Sequence, residues 1–267
     1  MTNYVQYKDP TDTAGFPSSI IWADCPTVEL MHDPGKGFHH FDDFRGYTET
    51  ATGVGNSSGH PVFEGNTTMT QVASGTSGSA LAIFTTDDNQ EASLQLGRTG
   101  IMNIPASGGG KLWFEARIKK SSISEGNVFI GLAAAEAAVA DFIVDASNDF
   151  SDVSLFGFAS IEGDPDVFDV VYQDPGTGVQ TPLGDAVTLT ADTYVKLGFV
   201  YDPSEDPDKR IKIYVDAVEQ STYITAALMA ATEFPAGDAM VPTIHVKGFS
   251  NNDFTATLDW WRAAYIR

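Results

Sequence analysis

The stretch Lys111-Leu-Trp-Phe-Glu-Ala-Arg-Ile-Lys-Lys120 alternates without a break, with Leu112, Phe114, Ala116 and Ile118 on one parity and Trp113, Glu115, Arg117 and Lys119 on the other. Successive side chains of a strand point to opposite faces, so this spacing predicts a strand buried on one side and wet on the other. A helix would wind both sets around its circumference and bury neither cleanly. Arg210-Ile-Lys-Ile-Tyr-Val215 repeats the pattern, and shorter strand-like runs fall at 127–132, 153–161, 167–172, 194–201, 241–248 and 254–265. Gly163-Asp-Pro-Asp166, Asp174-Pro-Gly176 and Asp202-Pro-Ser-Glu-Asp-Pro-Asp208 supply turns between them. Only Ala133–Ile143 and Ile224–Thr232, both short and alanine-rich, read as helix. The pattern predicts an all-β chain, an antiparallel β-sandwich with two short helices, each sheet buried on one face. Phe114, Ile118, Leu197, Phe199, Ile211 and Ile213 are its expected core.

Residues 1–37 break this pattern. They carry Pro10, Pro17, Pro26 and Pro34 and no sustained period, which predicts an extended N-terminal arm ahead of a sandwich domain at 38–267. The arm also holds Ile20, Ile21, Trp22, Leu30 and Met31. Apolar surface left in water forfeits about 25 cal/mol per Å², so these five side chains need cover. The expected cover is a neighbouring subunit, which makes them a candidate self-interaction and docking set. Residues 48–79, rich in Gly, Ser, Thr and Asn, read as loops and edge strands.

Charge narrows the function. The 267 residues hold 36 acidic and 15 basic side chains, a net charge of −21. Such a chain is repelled by DNA, RNA and anionic lipid, so nucleic acid and membrane are excluded as partners. The first ten residues show no basic stretch leading into an apolar one, and the most apolar run, 129–144, contains Glu136 and Asp141 and is too short to span a bilayer. Cys25 is the one cysteine, which rules out an intrachain disulfide and predicts a soluble protein made in a reducing cytoplasm.

Several of these segments resemble the concanavalin A-like jelly-roll superfamily. They are Phe114-Glu-Ala-Arg-Ile-Lys119, Val128 to Leu132, Tyr194-Val-Lys-Leu-Gly-Phe199, Ile211-Lys-Ile-Tyr-Val-Asp216 and Thr257-Leu-Asp-Trp-Trp-Arg262. The superfamily includes lectins, laminarinase-type glycoside hydrolases, laminin G modules and phage structural proteins. Phe38-His-His-Phe-Asp-Asp-Phe44, following a proline-rich arm, is similar to the lead-in of phage capsid-associated members.

The laminarinase-type members carry Glu-x-Asp-x-x-Glu on one strand, which sets two carboxylates on one face at the ~5 Å separation of a retaining glycosidase. This sequence lacks it. Its nearest approach, Glu162-Gly-Asp164-Pro-Asp166, is broken by glycine and proline, and Glu115 beside Arg117 reads as an exposed salt-bridge partner. No Gly-x-Ser-x-Gly nucleophile elbow is present, the one run with that spacing, Gly55-Asn-Ser-Ser-Gly59, lying in the loop-rich stretch 48–79 and not between a strand and a helix, and no Gly-x-x-x-x-Gly-Lys or His-Glu-x-x-His motif occurs. His32, His39, His40, His60 and His245 form no ligand spacing; the adjacent His39 and His40 would face opposite sides of a strand. No catalytic or metal site is expected.

The lectin and laminin G resemblance implies calcium held by loop aspartates. Asp202, Glu205, Asp206 and Asp208 share one loop, and Asp145, Asn148, Asp149 and Asp152 another. Neither follows the Asp-x-Asn-x-Asn-Gly order. The expectation is no cofactor, with structural calcium as the alternative.

Trp113, Tyr214 and Trp261 fall opposite the regular apolar residues of their strands, where exposed aromatics stack on sugars or line protein interfaces. The resemblance, the arm and the charge together predict a non-enzymatic phage virion protein. It would be a decoration or cement protein on the outer capsid surface, away from packaged DNA. Its expected partners are the major capsid protein and copies of itself as a homotrimer. The alternatives are a carbohydrate-binding module or tail-associated receptor binder with a glycan partner, and a degenerate glycoside hydrolase.

Overall fold

The computed structural model describes residues 15–45, 55–57, 60–64, 67–73, 79–97, 99–135, 137, 140–144 and 149–267. Two short helices come first, α1 (Ser19–Trp22) and α2 (Thr27–His32). The strands β1 (Gly37–Asp42), β2 (Gly55–Ser57), β3 (His60–Glu64), β4 (Thr68–Ala73), β5 (Ser79–Thr85) and β6 (Glu91–Gln95) follow. Next come β7 (Leu112–Lys120), β8 (Asn127–Ala134), β9 (Ile143–Val144), β10 (Asp149–Phe150), β11 (Leu155–Ser160) and β12 (Val167–Gln173). The chain continues through β13 (Gln180–Thr188), β14 (Val195–Tyr201), β15 (Ile211–Val215), β16 (Val218–Ile224), the single turn α3 (Ala226–Met229), β17 (Met240–Lys247) and β18 (Phe254–Ile266).

The long strands form two antiparallel sheets. One has the order β16-β15-β14-β7-β18-β5-β4, with β1 also paired to β18. The other runs β13-β12-β11-β8-β17-β6-β3-β2. Their facing surfaces make one core in which Phe114, Ile118, Leu197, Phe199, Ile211 and Ile213 are all fully buried, as the alternation predicts. Phe199 anchors it, its ring centroid 5.1 Å from Phe114 and 4.7 Å from Phe156 across the sandwich.

The expected helices fare differently. β8 runs on to Ala134 and Ile143 begins β9, so no helix forms among the described residues of 133–143. Sheet pairing to β11 and β17 overrides the helical preference of alanine there. At 224–232 one turn forms, α3, capped by Thr225 Oγ1 accepting from the Leu228 N–H at 3.2 Å.

The arm is not extended where it is described, and its cover comes from the same chain. Pro17 and Pro26 stand just before α1 and α2, where a missing N–H costs nothing. Ile21, Trp22, Cys25 and Leu30 are buried against Trp113, Val200, Tyr214 and Ala264 on the outer face of the first sheet. Gly198 admits them, since a Cβ there would stand 2.7 Å from Ile21 Cδ1. Ile20 and Met31 remain exposed, and residues 1–14 lie outside the described residues.

Glu115 is correspondingly not an exposed ion-pair partner but a buried acceptor. Its carboxylate takes the Ser18 N–H at 2.9 Å, the Ser18 hydroxyl and the Trp22 Nε1–H at 2.7 Å. Burial pushes its pKa above the usual range, while the Ser18 and Trp22 donors and nearby Lys196 pull the other way. Arg262, its cross-strand neighbour, lies 3.9 Å from the Trp22 ring centre and donates to Thr27 Oγ1 at 2.9 Å.

Two outcomes test this packing. Phe199→Ala should cost roughly 3–5 kcal/mol in a urea melt; a loss near zero would invert the assignment of faces. Trp22→Ala should free the N-terminal helices and open Cys25 to alkylation. That thiol is buried in the parent protein, with its pKa pushed up to about 12 by burial, so it should label slowly there. Equal labelling of parent and variant would show that Trp22 does not hold the segment down.

Candidate functional site

The aromatic residues singled out in the sequence are buried. Trp113 and Tyr214 do sit on the outer face of the first sheet, but beneath α1 and α2, at 0% and 5% exposure. Trp113 Nε1 donates to Asp24 at 3.1 Å, so the segment satisfies the indole's polar edge as well. Trp261 lies in the main core, tilted against Phe44 at 6.0 Å. The cause is a register shift in β18 between Leu258 and Trp260. One extra residue flips the parity, so Phe254, Ala256 and Leu258 face inward before the bulge and Trp261 and Ala263 after it. None of the three presents a stacking platform.

The acidic loop at 202–208 spends its oxygens internally. Asp202 accepts from Lys111 Nζ at 2.8 Å and from the Ser204 N–H at 2.9 Å, Glu205 pairs with Lys212, and Asp206 accepts the Asp208 N–H at 3.0 Å. Burial would raise the Asp202 pKa, but the Lys111 and Ser204 contacts outweigh it and hold the carboxyl at about 2. In the other loop Asp152 accepts the Gly176 N–H, and Asp145 and Asn148 lie outside the described residues. No group of three or more His, Cys, Asp or Glu side chains converges on a metal position among the described residues.

The densest polar cluster lies on the outer face of the second sheet. Pairing aligns His245 with Ser93 on one side and Phe129 on the other, and Lys247 with Glu91. His245 Nδ1 meets the Ser93 hydroxyl, and its Nε2 stands 3.4 Å from Glu91 Oε2. Residues 140–144 and 149–153 lie across this face. Glu91 accepts the Asp141 N–H with both oxygens at 2.9 Å, while Lys247 Nζ donates to Asp141 Oδ1 at 2.9 Å and to Ile143 O at 3.0 Å. Phe142 packs 5.1 Å from His245 and 5.2 Å from Phe129, and Phe150 completes the aromatic cover. Beneath or beside it Gln95 Oε1, Gln173 Oε1 and Ser151 Oγ are buried with no hydrogen-bond partner.

Ser93, His245 and Glu91 have the residue types of a nucleophile, base and acid. Here Phe142 covers the imidazole and the Glu91 oxygens are committed to the Asp141 amide, so the trio fastens the cover to the sheet. His245 itself is fully buried. The signal was in the sequence as polar side chains on one parity, Glu91, Ser93 and Gln95 in one run and Thr243, His245 and Lys247 in another.

A third feature is an open groove of about 570 Å³ beside β1, lined by Leu30, Met31, Pro34, Phe38 and Phe41 together with the backbone of the strand.

No family model matches the sequence, and no curated protein matches it. Solved structures do. They include a protein of unknown function from Shewanella oneidensis MR-1, 13% identical with a TM-score of 0.51 over 86% of this chain and 87% of that one. A second is described as an endo-acting O-glycanase of the human gut microbiota that initiates mucin breakdown, 12% identical, TM-score 0.50, covering 85% and 99%. Peanut lectin is 11% identical with a TM-score of 0.49 over 86% and 97%. The fold is a concanavalin A-like jelly roll. At these identities the likeness is one of architecture.

Burial lowers the pKa of His245 below its ordinary 6.5, with Glu91 acting the other way. The unfolded chain then binds the proton more readily, so the stability His245 contributes is complete above pH 6.5 and falls as the pH drops below it. Urea melts between pH 7.5 and 5.5 should show this loss, and His245→Gln should flatten part of the slope. An identical slope in the variant would assign the effect to other groups.

Proposed function

We propose that the chain is a non-enzymatic structural protein of a phage virion: a decoration or cement protein seated on the outer capsid surface. Its partners in this reading are the major capsid protein and copies of itself, as a homotrimer. The observation that carries it is where apolar surface remains. Among the described residues seven large hydrophobic side chains are exposed, and Phe16, Ile20, Met31 and Phe41 belong to the N-terminal segment and β1. Phe41 and Met31 line one groove, and Phe41 packs 6.2 Å from Trp260, whose Nε1 donates to Gly15 O at 2.7 Å beside Phe16. Apolar residues concentrated on one side are what a docking protein presents. The charge of −21 favours the outside of a shell over an inner wall facing DNA. The resemblance of Phe38–Phe44 to the lead-in of capsid-associated members points the same way.

Glycan binding is the second reading, supported by the likeness in architecture to the structure described as a gut-microbiota O-glycanase. Cryo-electron microscopy of the source particle separates the two. Density for this chain outside the shell, with its N-terminal side against the capsid, is the expected result. Density in the interior, or a particle without the chain together with saturable glycan-array binding, would overturn the decoration reading.

A further inference from the structure

β1 pairs with β18 through all six of its residues, and among the described residues no strand pairs with its other side. The bond from the Arg267 N–H to Lys36 O at 3.0 Å sets the phase of the ladder. Phe38, His40 and Asp42 turn their backbone groups toward β18, and Gly37, His39 and Phe41 turn theirs outward. The open groove runs along this outward edge, walled on the far side by Leu30, Met31 and Pro34. At about 3.3 Å per residue the edge is roughly 20 Å long, enough to pair a short strand.

Natural sheets guard such edges with proline, lysine or a bulge. β1, Gly-Phe-His-His-Phe-Asp, has no proline, lysine or bulge, its one charged residue, Asp42, stands at its last position, and its register against β18 is unbroken. It also offers apolar contacts, with Phe41 44% and Met31 64% exposed.

We propose that this edge accepts a strand from a partner protein, an extended segment that alternates apolar and basic side chains. The apolar positions follow from geometry: a strand laid beside β1 sets every second side chain next to Phe41 and facing Met31. The basic positions follow from charge. The segments framing the groove carry Glu29, Asp33, Asp42 and Asp43 against Lys36 and Arg45, within a chain of net charge −21. A second copy would bring the same acidic segments to this groove and be repelled there, so contacts between copies would use other surfaces. The inference rests on the docking reading above and supplies the chemistry of its partner.

Fluorescence anisotropy with a labelled eight-residue peptide alternating valine and lysine tests it on the full chain. Saturable binding at least tenfold tighter than to the valine–glutamate counterpart is expected. Phe41→Pro removes the outward N–H and the ring, and should abolish binding; prolines on an outward edge position leave a sheet intact. Met31→Lys, at an exposed position, should weaken the lysine peptide at least tenfold with an unchanged melt, which keeps the test decisive if Phe41→Pro fails to fold. Absent binding, equal binding of both peptides, or full binding by Met31→Lys would overturn the strand-acceptor proposal and leave the location on the particle untouched. Concentration-dependent dimers in sedimentation that Met31→Lys dissolves would also overturn it, by making the occupant a second copy.

Discussion

A carboxylate with no access to water organises one whole side of this protein. Glu115 sits at the middle of β7, on the outer face of the first sheet, fully buried. An ionised carboxylate removed from water is costly unless donors replace the water. Ser18 and Trp22 supply those donors from a segment nearly a hundred residues away in sequence. Everything else on that face follows from the same contact. Trp22 brings its ring over Arg262, Ile21 fills the space left by Gly198, and Trp113 is sealed with its indole N–H on Asp24. Losing the segment would leave Glu115 and Arg262 charged at a bare apolar patch, so residues 15–32 are part of the fold and not an appendage to it.

Alternation made the core legible. A period of two states which side chains share a face, and Phe114, Leu197 and Ile213 met there as expected. It does not state what lies against the other face. Trp113 and Tyr214 were correctly placed opposite the core, yet they are buried, because cover by a distant segment leaves no periodic trace. Trp261 failed for a different reason. A bulge shifts parity by one residue, and nothing in Leu-Asp-Trp-Trp marks the shift. The helix expected after Val128–Leu132 failed because alanine's preference is small beside the ladder β8 forms with β11 and β17. The polar row of Glu91, Ser93 and His245 went unread because its members lie in two runs about 150 residues apart, and only strand pairing makes them neighbours.

Both sheets are covered on their outer faces, one by α1 and α2 and the other by the residues around β9 and β10. An antiparallel sheet usually leaves one face to water, and that face is where a sandwich can offer a platform. Here each cover is fixed by a buried carboxylate taking backbone N–H groups from the covering segment: Glu115 with Ser18, and Glu91 with Asp141. The repeated device has a functional consequence. With much of each outer face covered, recognition shifts toward the rim, meaning edges, loops and the exposed parts of the covers themselves.

The rim differs from place to place. β16 at one end of the first sheet exposes a single large apolar side chain, Val218, beside the charged Glu219, as a guarded edge should. β1 is the opposite case. The N-terminal segment that covers Glu115 also brings Met31 and Pro34 alongside the free edge of β1, making a groove where a bare edge would otherwise stand. The interaction that completes the fold on one face therefore also shapes the surface next to it. Folding of residues 15–32 and recognition at β1 are coupled through α2, whose Leu30 faces the sheet while Met31 faces solvent.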